Sequence, residues 1–205
     1  MTVLSDKSIL RALSTQQLII SDVVLDHVKP ASVDLCLDVR AFKMLPGDVN
    51  LNASIDDFKR LEEEFEIPDS GYILIPGNAI LGFTKEKLGI PSYMTARIFN
   101  RNSCARLGLD VAVGCYINPG YKGKMPLVIR NVGNRNISIC PDDRICQIQF
   151  TLLNEVPARD YQNEHDVALI SGIAKKILGR SMKSEETKNS ALSDFLRERI
   201  NSTIK

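Results

Sequence analysis

Apolar and polar positions alternate from residue 33 to 39: Val33, Leu35, Leu37 and Val39 are separated by Asp34, Cys36 and Asp38. A period of two predicts a strand with one face buried. Short apolar runs recur at 72–75, 80–83, 94–99, 109–113, 126–129, 137–139 and 145–152. Turn signals separate them at Pro76-Gly77, Pro91-Ser92, Asn118-Pro119-Gly120, Gly133-Asn134 and Pro141-Asp142-Asp143. Many short strands at this spacing predict a mostly β sandwich or jelly roll. Residues 5–18 read instead as a helix, capped by Ser5, with Ile9, Leu10 and Leu13 on one face. Residues 51–66, which carry LEEEFE, are more polar and suggest a helical insertion.

The texture changes again after Pro157. Val167, Ile170, Ala174 and Ile177 fall three or four apart, predicting an amphipathic helix over 167–178 that Gly179 can stop. Residues 181–190 are polar and read as a linker. Ser193-Asp194 then opens a second helix with Phe195, Leu196 and Ile200. This divides the chain into a β-rich domain, 1–160, and a C-terminal helical extension, 161–205. The extension is either a solvated tail or an element whose apolar stripe docks on a protein surface.

The chain has 205 residues, enough for one sizeable domain and an appendage. A formal net charge of +1 gives no global field toward nucleic acid or an anionic membrane. No apolar run reaches the roughly 18 residues that span a bilayer. The N-terminus lacks the order of a signal peptide. These features suggest a cytoplasmic protein. The five cysteines, Cys36, Cys104, Cys115, Cys140 and Cys146, form no C-x-x-C pair and read as reduced and mostly buried. Zinc-dependent base deaminases need H-x-E followed by P-C-x-x-C. Neither His27 nor His165 begins such a motif, so that route to deamination is closed.

Four clusters carry a resemblance. They are Pro30-Ala31-Ser32-Val33-Asp34-Leu35, the segment from Arg101-Asn102-Ser103 through Arg106-Leu107-Gly108-Leu109, Ile117-Asn118-Pro119-Gly120-Tyr121-Lys122-Gly123, and Asp143-Arg144-Ile145-Cys146-Gln147-Ile148. The opening Leu4-Ser5-Asp6-Lys7-Ser8-Ile9 adds a fifth. In this order they resemble the dCTP deaminase/dUTPase family. The resemblance implies a dUTPase-like double-sheet jelly roll assembled as a homotrimer, with pockets between subunits. It also implies a deoxynucleoside triphosphate ligand, with magnesium arriving on the phosphates.

A triphosphate needs guanidinium forks and hydroxyls. Arg101, Ser103 and Arg106 are spaced along one segment to supply them. Without the flanking motifs the same arginines would read as partners of surface carboxylates. Asp34 and Asp143 are either structural or hold water around magnesium. Tyr121 either stacks under the deoxyribose or fills core. Gln147 stands among the candidate nucleotide contacts, and with Arg144 it also reads as a buried polar pair that locks its strand.

The catalytic positions depart from the family pattern. The deaminase glutamate falls ten residues on from Asn118, at Val128, which cannot move a proton. The dUTPase general base falls at Asn118, an amide. The serine that helps hold the catalytic water falls at Asn102. No acid occurs from residue 111 to 141. Tyr161-Gln162-Asn163-Glu164 keeps only a trace of the family's closing arm. Three readings follow: a pyrimidine deoxynucleotide-binding relative with weak or silent catalysis, first; an active dCTP deaminase or dUTP diphosphatase that holds water with Asn118 and Asn102 or borrows an acid such as Asp110, second; and a regulatory or structural trimer.

Overall fold

In the computed structural model, which describes residues 2–49, 60–111 and 116–157, the period-two segments become strands. The described residues, Asp48 and Val49 apart, belong to one compact unit. In chain order the elements are β1 (Thr2–Val3), α1 (Asp6–Ser14), β2 (Ile19–Ile20), β3 (Val28–Lys29), β4 (Ser32–Cys36), β5 (Arg40–Met44), β6 (Glu62–Glu66), β7 (Tyr72–Leu74), β8 (Ala79–Gly89), β9 (Met94–Asn100), α2 (Asn102–Leu107), β10 (Leu109–Asp110), β11 (Tyr116–Ile117), β12 (Lys122–Asn131), β13 (Ile137–Ile139) and β14 (Arg144–Leu152). A short 3-10 turn, Leu25–His27, precedes β3.

One sheet runs β11-β9-β14-β4-β3, with β1 also on β14; a second runs β10-β12-β8-β5-β6, with β2 on β8; β13 and β7 form a small third pair. The fold is mostly β, and the arrangement is that of a double-sheet jelly roll with an N-terminal helix. Alternation decides which side chains meet between the sheets. Along β14, Cys146, Ile148 and Phe150 are buried while Gln147 and Gln149 are half-buried. Along β12, Met125, Leu127 and Ile129 point inward. They meet Val33, Leu35, Ala96 and Ile80 in one apolar core.

Pro126 lies inside β12, where a proline cannot donate to a ladder. The register shifts between Lys124 and Pro126, opening a bulge. The Met125 N–H donates there to the buried Thr84 hydroxyl at 2.9 Å. The bulge thus removes the need for the missing donor.

Three sequence expectations are corrected. The 60–66 part of the expected helical insertion ends in strand β6, at the sheet edge, where Phe65 tilts against Tyr72 with ring centroids 4.9 Å apart. Its glutamates face Arg40 and Lys43 of β5. Charge on an exposed edge deters further strand pairing. The N-terminal helix stops at Ser14, and it buries Ile9 and Ala12, whereas Leu10 is exposed. Ser5 occupies the N-cap position but makes no side-chain cap bond. The expected C-terminal helices lie outside the described residues. Among the described residues no helix is long and apolar enough to cross a membrane.

Candidate nucleotide-binding site

The short helix α2 is fixed at both ends. Arg101 enters with extended backbone, and Gly108 closes the helix in the left-handed region at φ +90°. A Cβ on Gly108 would lie 2.6 Å from the Gly133 Cα. Glycine is therefore required twice, by conformation and by space. The Val132 N–H donates to the Gly108 carbonyl at 2.8 Å, tying α2 to the end of β12. Asn102, Ser103 and Arg106 are left exposed on it.

Arg101 turns the other way. Its Nε lies 3.2 Å from Asp34 Oδ2, and its Nη1 donates to the Arg144 carbonyl at 2.8 Å. Asp34 is only 3% exposed. Arg144 Nη1 lies 3.7 Å from the same oxygen and 3.2 Å from Asp26 Oδ2. Asp34 Oδ2 receives these charge contacts without hydrogen-bond geometry. The attraction of two guanidiniums offsets the loss of solvent around a buried carboxylate. The structure thus separates the expected phosphate ligands: Arg101 is half-buried and paired with Asp34, while Ser103 and Arg106 are exposed.

Gln147 bridges three strands of the first sheet. It accepts from the Ser32 hydroxyl at 3.4 Å and donates to the Asn100 carbonyl at 3.2 Å. Tyr121 is 6% exposed, within the core, and its hydroxyl donates to the Lys124 carbonyl at 2.6 Å. The turn before it is set by Gly120 at φ +80°. The Tyr121 N–H donates to the Asn118 carbonyl at 3.2 Å. Asn118 is half-buried beside this turn.

Val128 is half-buried on β12, opposite Leu81 of β8. Arg130, two residues on, shares its face and is paired with Asp110 of β10. Paired residues across a ladder point the same way, so Asp110 is an acid on the Val128 face. It is heavily engaged: Arg130 Nη2 donates to Oδ2 at 2.6 Å, and Asn100 Nδ2 donates to Oδ1 at 3.1 Å. Sequence reading named Asp110 as an acid that could be borrowed but gave no sign of this ion pair, which depends on strand register.

Asp143 accepts from the Cys140 N–H at 2.8 Å, closing its own turn. Asp34, the other expected magnesium contact, lies against Arg101 and Arg144. Among the described residues the one grouping of side chains close enough to hold a metal ion is His27, Cys36 and Glu86. It was missed in the sequence because its members are far apart in the chain and follow no spacing motif.

Residues 3–153 match the family model for dCTP deaminase-like proteins. A dCTP deaminase, dUMP-forming, of Coprothermobacter proteolyticus is 36% identical over 159 residues, spanning 75% of this chain and 83% of the relative. The corresponding protein of Methanothermobacter thermautotrophicus is 29% identical over 198 residues, 94% of this chain and 100% of its own length. Among solved structures, the 2'-deoxycytidine 5'-triphosphate deaminase of Agrobacterium tumefaciens superposes with a TM-score of 0.59 at 25% identity. That match covers 73% of this chain, which spans 47% of the solved one.

Proposed function

The chain belongs to the dCTP deaminase-like family of nucleotide-processing proteins, and we propose that it binds pyrimidine deoxynucleoside triphosphates, dCTP or dUTP, with weak or silent catalysis. The observation that carries this reading is the face of β12 around Val128. The position that would hold the deaminase glutamate is a valine, and the acid nearest in register, Asp110, is tied to Arg130 and Asn100. The alternative base position is the amide Asn118. Losing a general base typically costs about 10²–10⁴ in rate.

Binding rests on different residues. Ser103 and Arg106 are exposed on a helix whose position is locked at Gly108. Arg101, which precedes them in the chain, is paired with Asp34. Magnesium enters with the triphosphate. The binding unit is a homotrimer with pockets between copies. The spacing of Val167, Ile170, Ala174 and Ile177 in the sequence supports a protein partner.

The second reading, an active dCTP deaminase, is favoured by the relatives' names and by the presence of any acid on the Val128 face. One experiment separates the two. The purified chain is incubated with magnesium and each deoxynucleoside triphosphate, and binding, ammonia and pyrophosphate are measured together. Binding of dCTP or dUTP with little product is the expected result. Rapid ammonia release from dCTP would establish the second reading instead.

A further inference from the structure

The cluster of His27, Cys36 and Glu86 lies where the two sheets come together. His27 ends the 3-10 turn, Cys36 ends β4 of one sheet, and Glu86 lies on β8 of the other. An isolated bridge between Leu37 and Thr84 joins the strands beside it. One ring nitrogen of His27, the Cys36 Sγ and one Glu86 carboxylate oxygen lie within 4.8 Å of one another. Cys36 and Glu86 are buried, at 6% and 3% exposure, while His27 is half-exposed.

Glu86 is the unusual member. Both its oxygens face the Cys36 N–H, at 3.0 and 3.2 Å. Among the described residues no lysine or arginine pairs with it; the adjacent Lys85 pairs with Asp142 instead. The backbone and thiol of Cys36 and its own backbone N–H give it hydrogen bonds, but a buried carboxylate without a cationic side chain paired to it remains expensive unless a proton or a cation neutralises it. The groups that surround it are an imidazole and a thiol, the usual ligands of a zinc-type ion.

We propose that His27, Cys36 and Glu86 bind one zinc-type divalent transition-metal ion, with water completing the coordination on the exposed His27 side. The nitrogen–sulfur–oxygen set selects against magnesium and calcium, which take oxygen ligands. Zinc bonds of 2.0–2.3 Å place tetrahedral ligands about 3.3–3.8 Å apart. Closure therefore needs about 1.5 Å of side-chain movement at most, and His27, at the end of a surface turn, can supply it. The Cys36 N–H orients the carboxylate, as a supporting hydrogen bond does in metal centres. Burial, and then the Glu86 charge, push the Cys36 thiol up to about 12. The metal-free thiol is thus inert, and metal binding would displace its proton into the buffer. The ion would clamp β4 to β8. This site is independent of the nucleotide reading.

The test is a cobalt titration of the full chain after chelator treatment. Cobalt reports a tetrahedral thiolate site by intense visible bands and a thiolate-to-metal charge-transfer band. One equivalent per chain should saturate both, and zinc should displace the cobalt. His27→Gln, a substitution at a half-exposed position, should weaken binding by about tenfold or more. Cys36→Ser should abolish the charge-transfer band; if it fails to fold, His27→Gln alone decides. Failure of the wild-type chain to bind micromolar cobalt would overturn the proposal. Unchanged binding in His27→Gln, or a charge-transfer band that survives in folded Cys36→Ser, would also overturn it.

Discussion

Two arginines five residues apart on the same segment have different tasks. Arg101 pairs with buried Asp34, whereas Arg106 is exposed and has no ion pair among the described residues. Arg101→Ala should therefore lower unfolding stability, by about 3 kcal/mol, because it leaves a buried carboxylate short of a partner. Urea unfolding measures this. Arg106→Ala should leave stability within about 0.5 kcal/mol and instead weaken dCTP or dUTP binding by about 1.5–3 kcal/mol, read by calorimetry. Equal nucleotide binding by wild type and Arg106→Ala would remove Arg106 from the site. The sequence made both arginines candidates, since spacing alone places them on one segment. It could not tell them apart, because the ion pair of Arg101 depends on Asp34, whose strand reaches it only through the fold.

At the scale of elements, α2 matters most because it carries the outward-facing groups. Its position depends on Gly108, where φ is +90° and an added Cβ would meet Gly133. Gly108→Ala should cost about 1–2 kcal/mol for the left-handed backbone alone, and more for the contact. A melting temperature equal to wild type would contradict this account of how α2 is held. The strands with clear alternation and clear turns, such as β13 and β14, were legible in the chain. Strand β6 was not: four of its five residues are glutamates, and such composition reads as helix when pairing is ignored. Its partner β5 supplies the cations and its edge position tolerates the charge. The His27, Cys36 and Glu86 cluster was illegible for a related reason, since three distant elements build it.

For the whole molecule, single-chain burial is incomplete in a telling place. Leu107 and Val132 are each 64% exposed, and they adjoin through the bond from the Val132 N–H to Gly108. Exposed apolar side chains beside a binding helix fit a surface covered by another copy. Light scattering should therefore give a trimer at micromolar concentration; a monomer would count against the shared pocket. Within such a trimer, the central claim is that the binding surface remains while the acid for chemistry is gone. Asn118→Asp tests it most directly, because it supplies the missing carboxylate with almost no change of shape. A carboxylate there can take a proton from water attacking the α-phosphorus. The measurement is pyrophosphate release from dUTP by wild type and by Asn118→Asp under the same conditions. The account predicts measurable release by the variant and markedly less by wild type; a wild-type rate equal to that of Asn118→Asp would contradict it.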